Sequence, residues 1–215
     1  MRVSKNAEDR RAVILEAGMA VCKTIGFADA KVSDITKAAG IAKGTFYLYF
    51  DSKAHMLGAL WERYVDTVVV TAEGVLREGD TWWPTVDRLL SALLDQALSN
   101  TDLHRIVYGT ANAHALDICR AADERVIDLM ASFITRGTCA GAFRVARPSW
   151  TCRMLYRAAD SLLHELILAG APIDAQELKG SFLELAHRAL GAPPYVHPQP
   201  KGFRACPPTP CRTST

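Results

Sequence analysis

Residues 32–50 read "VSDITKAAGIAKGTFYLYF". Ile35 and the pair Ala38-Ala39 are spaced to pack inward from a first short helix, about 32–39. Gly40 then reverses the chain without a Cβ clash, and Ile41 plugs the joint. In a second short helix, about 42–49, Phe46 and Phe50 stand at i and i+4, so they share one face and anchor beneath it. Lys43 and Tyr47 are left on other faces, together with part of the surface of Gly44, Thr45, Leu48 and Tyr49. The phenol rings of Tyr47 and Tyr49 are expected to stand out from the protein. A short helix with a small N-terminal end and exposed hydroxyls is what a DNA major groove admits. Its amides and hydroxyls suit phosphates, and Lys43 has the reach for a base edge or a phosphate.

Outward from this stretch the helical period continues, with no convincing alternating strand. Residues 8–25 put Ile14, Ala17, Gly18, Val21, Cys22 and Ile25 on one face of a first helix that ends at Gly26. Asp51 or Ser52 caps a fourth helix, about 53–76, striped by Leu57, Leu60, Trp61, Tyr64, Val65 and Val68. Pro84 suits the first turn of a fifth carrying Val86, Leu89, Leu90, Leu93, Leu94 and Ala97. Residues 102–108 form a short sixth and 113–137 a seventh. Pro148 opens an eighth ending at Gly170, and Asp174 with Glu177 resembles a capping box for a ninth over 175–190. The expected fold is all-α with about nine helices: a helix-turn-helix unit over 1–52, a helical body over 53–191, and a Pro-rich, disordered tail over 192–215 holding seven of the ten prolines.

Composition narrows the class. The chain of 215 residues is 49% hydrophobic and 22% charged, enough for a sizeable core. Its net charge of +2 says little, but residues 1–53 hold nine Lys/Arg against six Asp/Glu while the remainder is net −1. That is a mildly basic head. Apolar runs are too short to span a bilayer and the N-terminus lacks an apolar signal segment, so no membrane partner and a cytoplasmic location are expected. The six cysteines lack framework spacing and read as reduced thiols. No Ser/His/Asp grouping, phosphate-cradling glycine loop or paired-carboxylate motif supports catalysis. His197, Cys206 and Cys211 lack a fourth ligand for zinc, so neither metal nor cofactor is expected.

Residues 10–61 resemble the N-terminal domain of TetR-type transcriptional regulators. The resemblance rests on Ile14-Leu15, Ala17-Gly18, Gly26-Phe27, Ile35, Ala39-Gly40-Ile41, Lys43-Gly44-Thr45-Phe46-Tyr47, Tyr49-Phe50, Lys53 and Leu57. The tract "AGIAKGTFYLYFDSK" is highly specific, whereas the rest of the chain matches by shape. The resemblance implies base or phosphate contacts from Lys43, Gly44, Thr45 and Tyr47. It implies backbone or thymine-methyl contacts from Leu48 and Tyr49, a phosphate grip from Lys53, and DNA proximity for Ser33. Arg2, Lys5, Arg10 and Arg11 would add contacts from an N-terminal arm. Lys31 and Ala42 replace the Ser/Thr caps usual in the family; Lys31 compensates as a phosphate ligand.

The resemblance further implies a homodimer on double-stranded, palindromic operator DNA and an effector cavity enclosed by helices four to eight. Candidate cavity residues are Trp61, Tyr64, His104, Tyr108, His114, Phe133 and Tyr156. Candidate seam residues of the dimer are Leu155, Ala159, Leu162, Leu163 and Leu166 with Leu178, Phe182, Leu185 and Ala189. The function that follows is a repressor released by a small hydrophobic or amphipathic effector. The alternatives are a thiol-oxidation sensor using Cys119, Cys139 or Cys152, or an activator with the same head.

Overall fold

In the computed structural model, which describes residues 2–79, 81–109, 113–170 and 172–191, with side chains from Ala7 onward, the helical patterns become nine helices among the described residues. They are α1 (Arg2–Asp29), α2 (Val32–Ala38), α3 (Lys43–Tyr47), α4 (Lys53–Glu78), α5 (Trp82–Leu98), α6 (Thr101–Tyr108), α7 (Ala113–Cys139), α8 (Pro148–Ala169) and α9 (Ala175–Ala189). The expected tail, with His197, Cys206 and Cys211, lies outside the described residues, as do the side chains of Arg2 and Lys5. No helix among those described is long and apolar enough to cross a membrane.

α1 is longer than its apolar stripe implies, and it breaks where expected. Gly26 sits at φ 81°, ψ 157°, a backbone region essentially closed to residues with a Cβ. Ile14, Leu15 and Cys22 are buried, but Ile25, expected inside, is 45% exposed because the kink ends the buried face one turn earlier. α2 ends in a Schellman motif: Gly40 at φ 64° donates to the Lys37 carbonyl, and Ile41 donates to that of Thr36 at 3.0 Å. The missing Ser/Thr cap at Lys31 is made good from the other direction. Asp34 Oδ2 accepts the Lys31 backbone N–H at 2.9 Å, satisfying one of the orphan donors at that helix start.

Ser52 caps α4 by accepting the His55 N–H, and Asp174 caps α9 by accepting from Gln176 and Glu177. α4 packs along α7 and α5, α7 along α8, and α9 along α5, while α1 reaches α2, α4 and α6. One continuous core runs from Phe46 and Phe50 through Met56, Leu57 and Trp61 into α7 and α8. Each large side chain in it is worth about 1.5–3 kcal/mol of burial. α4 therefore shares its apolar stripe between head and body and links them, together with the contact of α1 on α6.

Candidate nucleic-acid interface and ligand cavity

The two benzyl groups that anchor α3 lie fully buried, Phe46 and Phe50, with ring centroids 5.6 Å apart. Arg11 stacks over Phe50 at 5.2 Å from its centroid, so its charge is drawn back onto the head. Tyr47 is 49% exposed and Leu48 81% exposed. Lys43 and Gly44 are exposed beside them, as are Lys31 and Ser33 at the start of α2, and Thr45 is half-buried. Six residues singled out from the sequence thus lie on the exposed surface of one bent helix pair.

Two expectations change. Tyr49 does not stand out as Tyr47 does: it is half-buried with its ring against the core, because it falls past the end of the five-residue α3, where the chain turns back toward α4. Ala38, expected inside, is exposed, leaving Ile35 and the half-buried Ala39 as the inward contacts of α2. Lys53 also has a task that its position in the sequence did not suggest. Its ammonium donates to the carbonyl oxygens of Phe27, Ala28 and Ala30 and sits 4.3 Å from the Phe27 ring centroid. Its three N–H bonds are used inside the protein, closing the frayed end of α1.

The helix-turn-helix and the exposed face are the observations that matter for kinship, and the comparison with known families agrees with them. Residues 14–60 match the family model of bacterial regulatory proteins, tetR family. The N-terminal head belongs to the TetR family. The TetR-type head also carries the likeness to curated relatives. The chain is 35% identical over 92 residues to YvdT of Bacillus subtilis, an uncharacterized HTH-type transcriptional regulator, which spans 43% of this chain and 45% of YvdT. It is 42% identical over 55 residues to the HTH-type regulator EthR of Mycolicibacterium smegmatis, 26% of this chain and 25% of EthR. The chain thus spans less than half the length of these relatives. Across the whole fold it is similar to the transcriptional regulator FadR of Bacillus subtilis, solved in complex with stearoyl-CoA. That likeness has a TM-score of 0.72 at 20% identity and covers 83% of this chain and 98% of that one, so it speaks for the fold alone.

Behind the TetR-type head, the body holds a partly open cavity of about 60 Å³ between α4, α5, α6, α7, α8 and α9. Tyr64, His104 and Tyr156, singled out from the sequence, line it. The others sit elsewhere. Trp61 is fully buried in the core, donating from Nε1 to Asp123 Oδ1 at 2.8 Å. Tyr108 stacks on His164 and donates to Asp160 Oδ2 at 3.4 Å, behind the lining. Phe133 lines a separate apolar hollow against Cys152 and Leu155, and His114 is exposed at the start of α7.

The sequence reading missed the polar half of this region. Asp123 is fully buried and held by Trp61 and by Arg157 Nη1 at 2.9 Å. Asp160, which lines the cavity, is pushed up to about 7, chiefly by burial and then by the charge of Asp123. His104 Nδ1 meets His164 Nε2 at 2.7 Å, and burial holds both imidazoles down, at about 4 and about 3. A signal was present: Tyr156, Asp160 and His164 are spaced i, i+4, i+8 on α8, one polar stripe between apolar ones.

The residues expected at a dimer seam fall on different faces of α8 and α9. Leu155 and Leu163 are buried within the monomer and Ala159 and Phe182 line the cavity. Leu166 and Leu178 are half-buried. The large apolar side chains left outside are Trp150, Met154, Leu162 and Leu168 on α8 and Leu185 on α9, near the exposed Ala189. The reason is rotational: α8 carries two adjacent apolar stripes, and the one containing Leu155 and Leu163 is buried inside the monomer, Leu155 beside Met130, Phe133 and Ile134 of α7 and Leu163 against Ala97 of α5.

The cysteines speak against thiolate sensing at two of the three positions considered. Cys119 and Cys152 are fully buried, and burial pushes both thiols up to about 12, whereas Cys139 is exposed.

Proposed function

We propose that this protein is a transcriptional repressor that binds a palindromic operator as a homodimer and leaves it when a small hydrophobic or amphipathic effector enters the body. The observation that carries the reading is the exposed set Lys43, Gly44, Tyr47 and Leu48 standing over the buried Phe46 and Phe50. An amphipathic ring and a cation on a rigidly seated short helix are suited to a major groove. Lys31, Ser33 and Thr45 complete the DNA-facing set, and Tyr49 contributes what remains of its exposed edge. Lys53 serves by position, holding α1 and α2 in register beneath the recognition helix.

The apolar face of Trp150, Met154, Leu162 and Leu185 supports pairing of two copies through α8 and α9. Two-fold symmetry then asks for operator halves about 34–36 Å apart or wider. The cavity supports a ligand response, as does the stearoyl-CoA bound by FadR, a protein of the same fold. An effector acts only if it binds one head spacing better than another, and α4, common to head and body, is the element able to carry that difference.

Selection from random DNA duplexes followed by gel shifts tests the proposal. Wild-type protein is expected to enrich a palindromic site, with affinity falling steeply as salt rises. Tyr47→Ala and Lys43→Ala should each lose the site while remaining dimeric. Absence of any enriched sequence, or wild-type binding by both variants, would overturn the assignment.

A further inference from the structure

We propose that the ligand of the body cavity is a small organic cation, an amine with a short apolar tail, whose charge is held by the Asp160 carboxylate beside the rings of Tyr64 and Tyr156. This deepens the ligand-responsive reading and rests on it for its biological meaning, though not for its chemistry.

Charge is the first argument. Asp160 is the one charged side chain among the described residues lining the cavity. Its contacts are the Tyr108 hydroxyl at 3.4 Å and His164 Nε2 at 3.5 Å, both long, and burial holds that imidazole neutral. The guanidiniums nearby are engaged elsewhere. Arg157 bonds Asp123 at 2.9 Å and Glu124 at 3.2 Å, and Arg153 bonds Glu124 at 2.6 Å. Arg120, whose charge also reaches Asp160, is paired with Asp117 at 3.6 Å, so four carboxylates share three guanidiniums, leaving one negative charge that faces the cavity. Desolvation of that charge is what drives the acid toward 7. A cation entering the cavity relieves it, while a carboxylate or phosphate would add a second negative charge in a poorly solvated place.

Aromatic faces and shape give the second argument. Tyr64 and Tyr156 line the same cavity, and a cation beside such rings gains the quadrupole attraction as well as the ion pair. His104 is 2% exposed, also lines the cavity, and its Nε2 has no hydrogen-bond partner among the described residues. That nitrogen is a second polar contact point, which a hydroxyl on the ligand satisfies in either imidazole tautomer. At about 60 Å³ the cavity holds a head group and not a whole drug-sized ligand, whose pockets start at roughly 300 Å³. The tail has somewhere to go. An apolar hollow shares Leu90 and Met130 with the cavity, and another, of about 170 Å³, shares Leu94, Ala159 and Phe182 and is lined on its outer side by Leu162 and Leu185 of the α8–α9 face.

Calorimetry on the full chain without DNA, above pH 7, tests the class with three probes of equal length: hexylamine, hexanol and hexanoate. Hexylamine should bind roughly tenfold or more tighter than either of the others. Asp160→Asn should abolish that preference while leaving hexanol unchanged. A thermal melt checks that the variant folds; if it does not, the wild-type ranking of the three probes decides alone. Hexanoate ranking with or above hexylamine, no hexylamine binding at millimolar concentration, or an unaltered preference in a folded Asp160→Asn protein would overturn the proposal. Should hexylamine bind as expected yet leave the operator complex intact, the ligand class stands and the ligand-responsive reading falls.

Discussion

Phe46 and Tyr47 are neighbours in the chain and opposites in burial, and the difference of one hydroxyl fits each to its place: Phe46 is fully buried, Tyr47 half in solvent. Inside the body the same logic runs in reverse, since polar groups are buried there and must be satisfied. Trp61→Phe would leave Asp123 Oδ1 without its indole donor, and a loss of about 1–3 kcal/mol is expected in urea denaturation. The imidazoles give a pH signature. His104 and His164 are held at about 4 and about 3, so unfolding takes up two protons once the pH drops below the ordinary histidine value of ~6.5. Their burial therefore costs stability progressively as pH falls from about 6.5 toward 4. Asp160 acts oppositely: raised to about 7, it keeps a proton that the unfolded chain has already lost above pH ~4, so its contribution falls as pH rises. Asp123, also raised chiefly by burial, acts with Asp160, so the histidine contribution is read as a difference between two proteins. On acidification from about pH 6.5 to 5, the urea midpoint of a His104→Gln, His164→Gln double variant should rise relative to that of the wild type.

Among the elements, α3 is too short to hold itself in place; five residues give barely one turn, far below what is stable alone. It is seated by Phe46 and Phe50 and by the chain entering it from the Gly40 turn. α4 does the opposite work, extending 26 residues from beneath the head to the far side of the cavity. Its first residue, Lys53, bonds the carbonyls at the end of α1. Lys53→Met should cost about 1–2 kcal/mol in chemical denaturation. Operator affinity should fall with that stability. Lost DNA binding at unchanged stability would instead return Lys53 to the phosphate contact that its sequence position suggested.

At the scale of the whole molecule, the proposed pairing of two copies rests on the exposed apolar face of α8 and α9. Met154→Glu with Leu162→Glu places two charges on that face without entering the core, since both side chains are largely exposed. Light scattering should report a monomer whose helical content is unchanged; a persistent dimer would move the interface elsewhere. What the chain order alone determined is the local grammar: the succession of helices, the Gly26 break, the Gly40 reversal, the Ser52 and Asp174 caps, and the Phe46–Phe50 pegs beneath Tyr47. Each of these depends on residues within a turn or two of one another, so periodicity and stereochemistry suffice. Tertiary structure alone decided the rest. Which of two leucine stripes on α8 faces out, that Lys53 folds back on α1, that Tyr49 turns inward, and that Asp160 and His104 meet at one cavity are all questions of rotation about helix axes. Those rotations follow from packing between segments far apart in the chain, such as Trp61 with Asp123, 62 residues on, and His104 with His164, 60 residues on, and no local pattern encodes them.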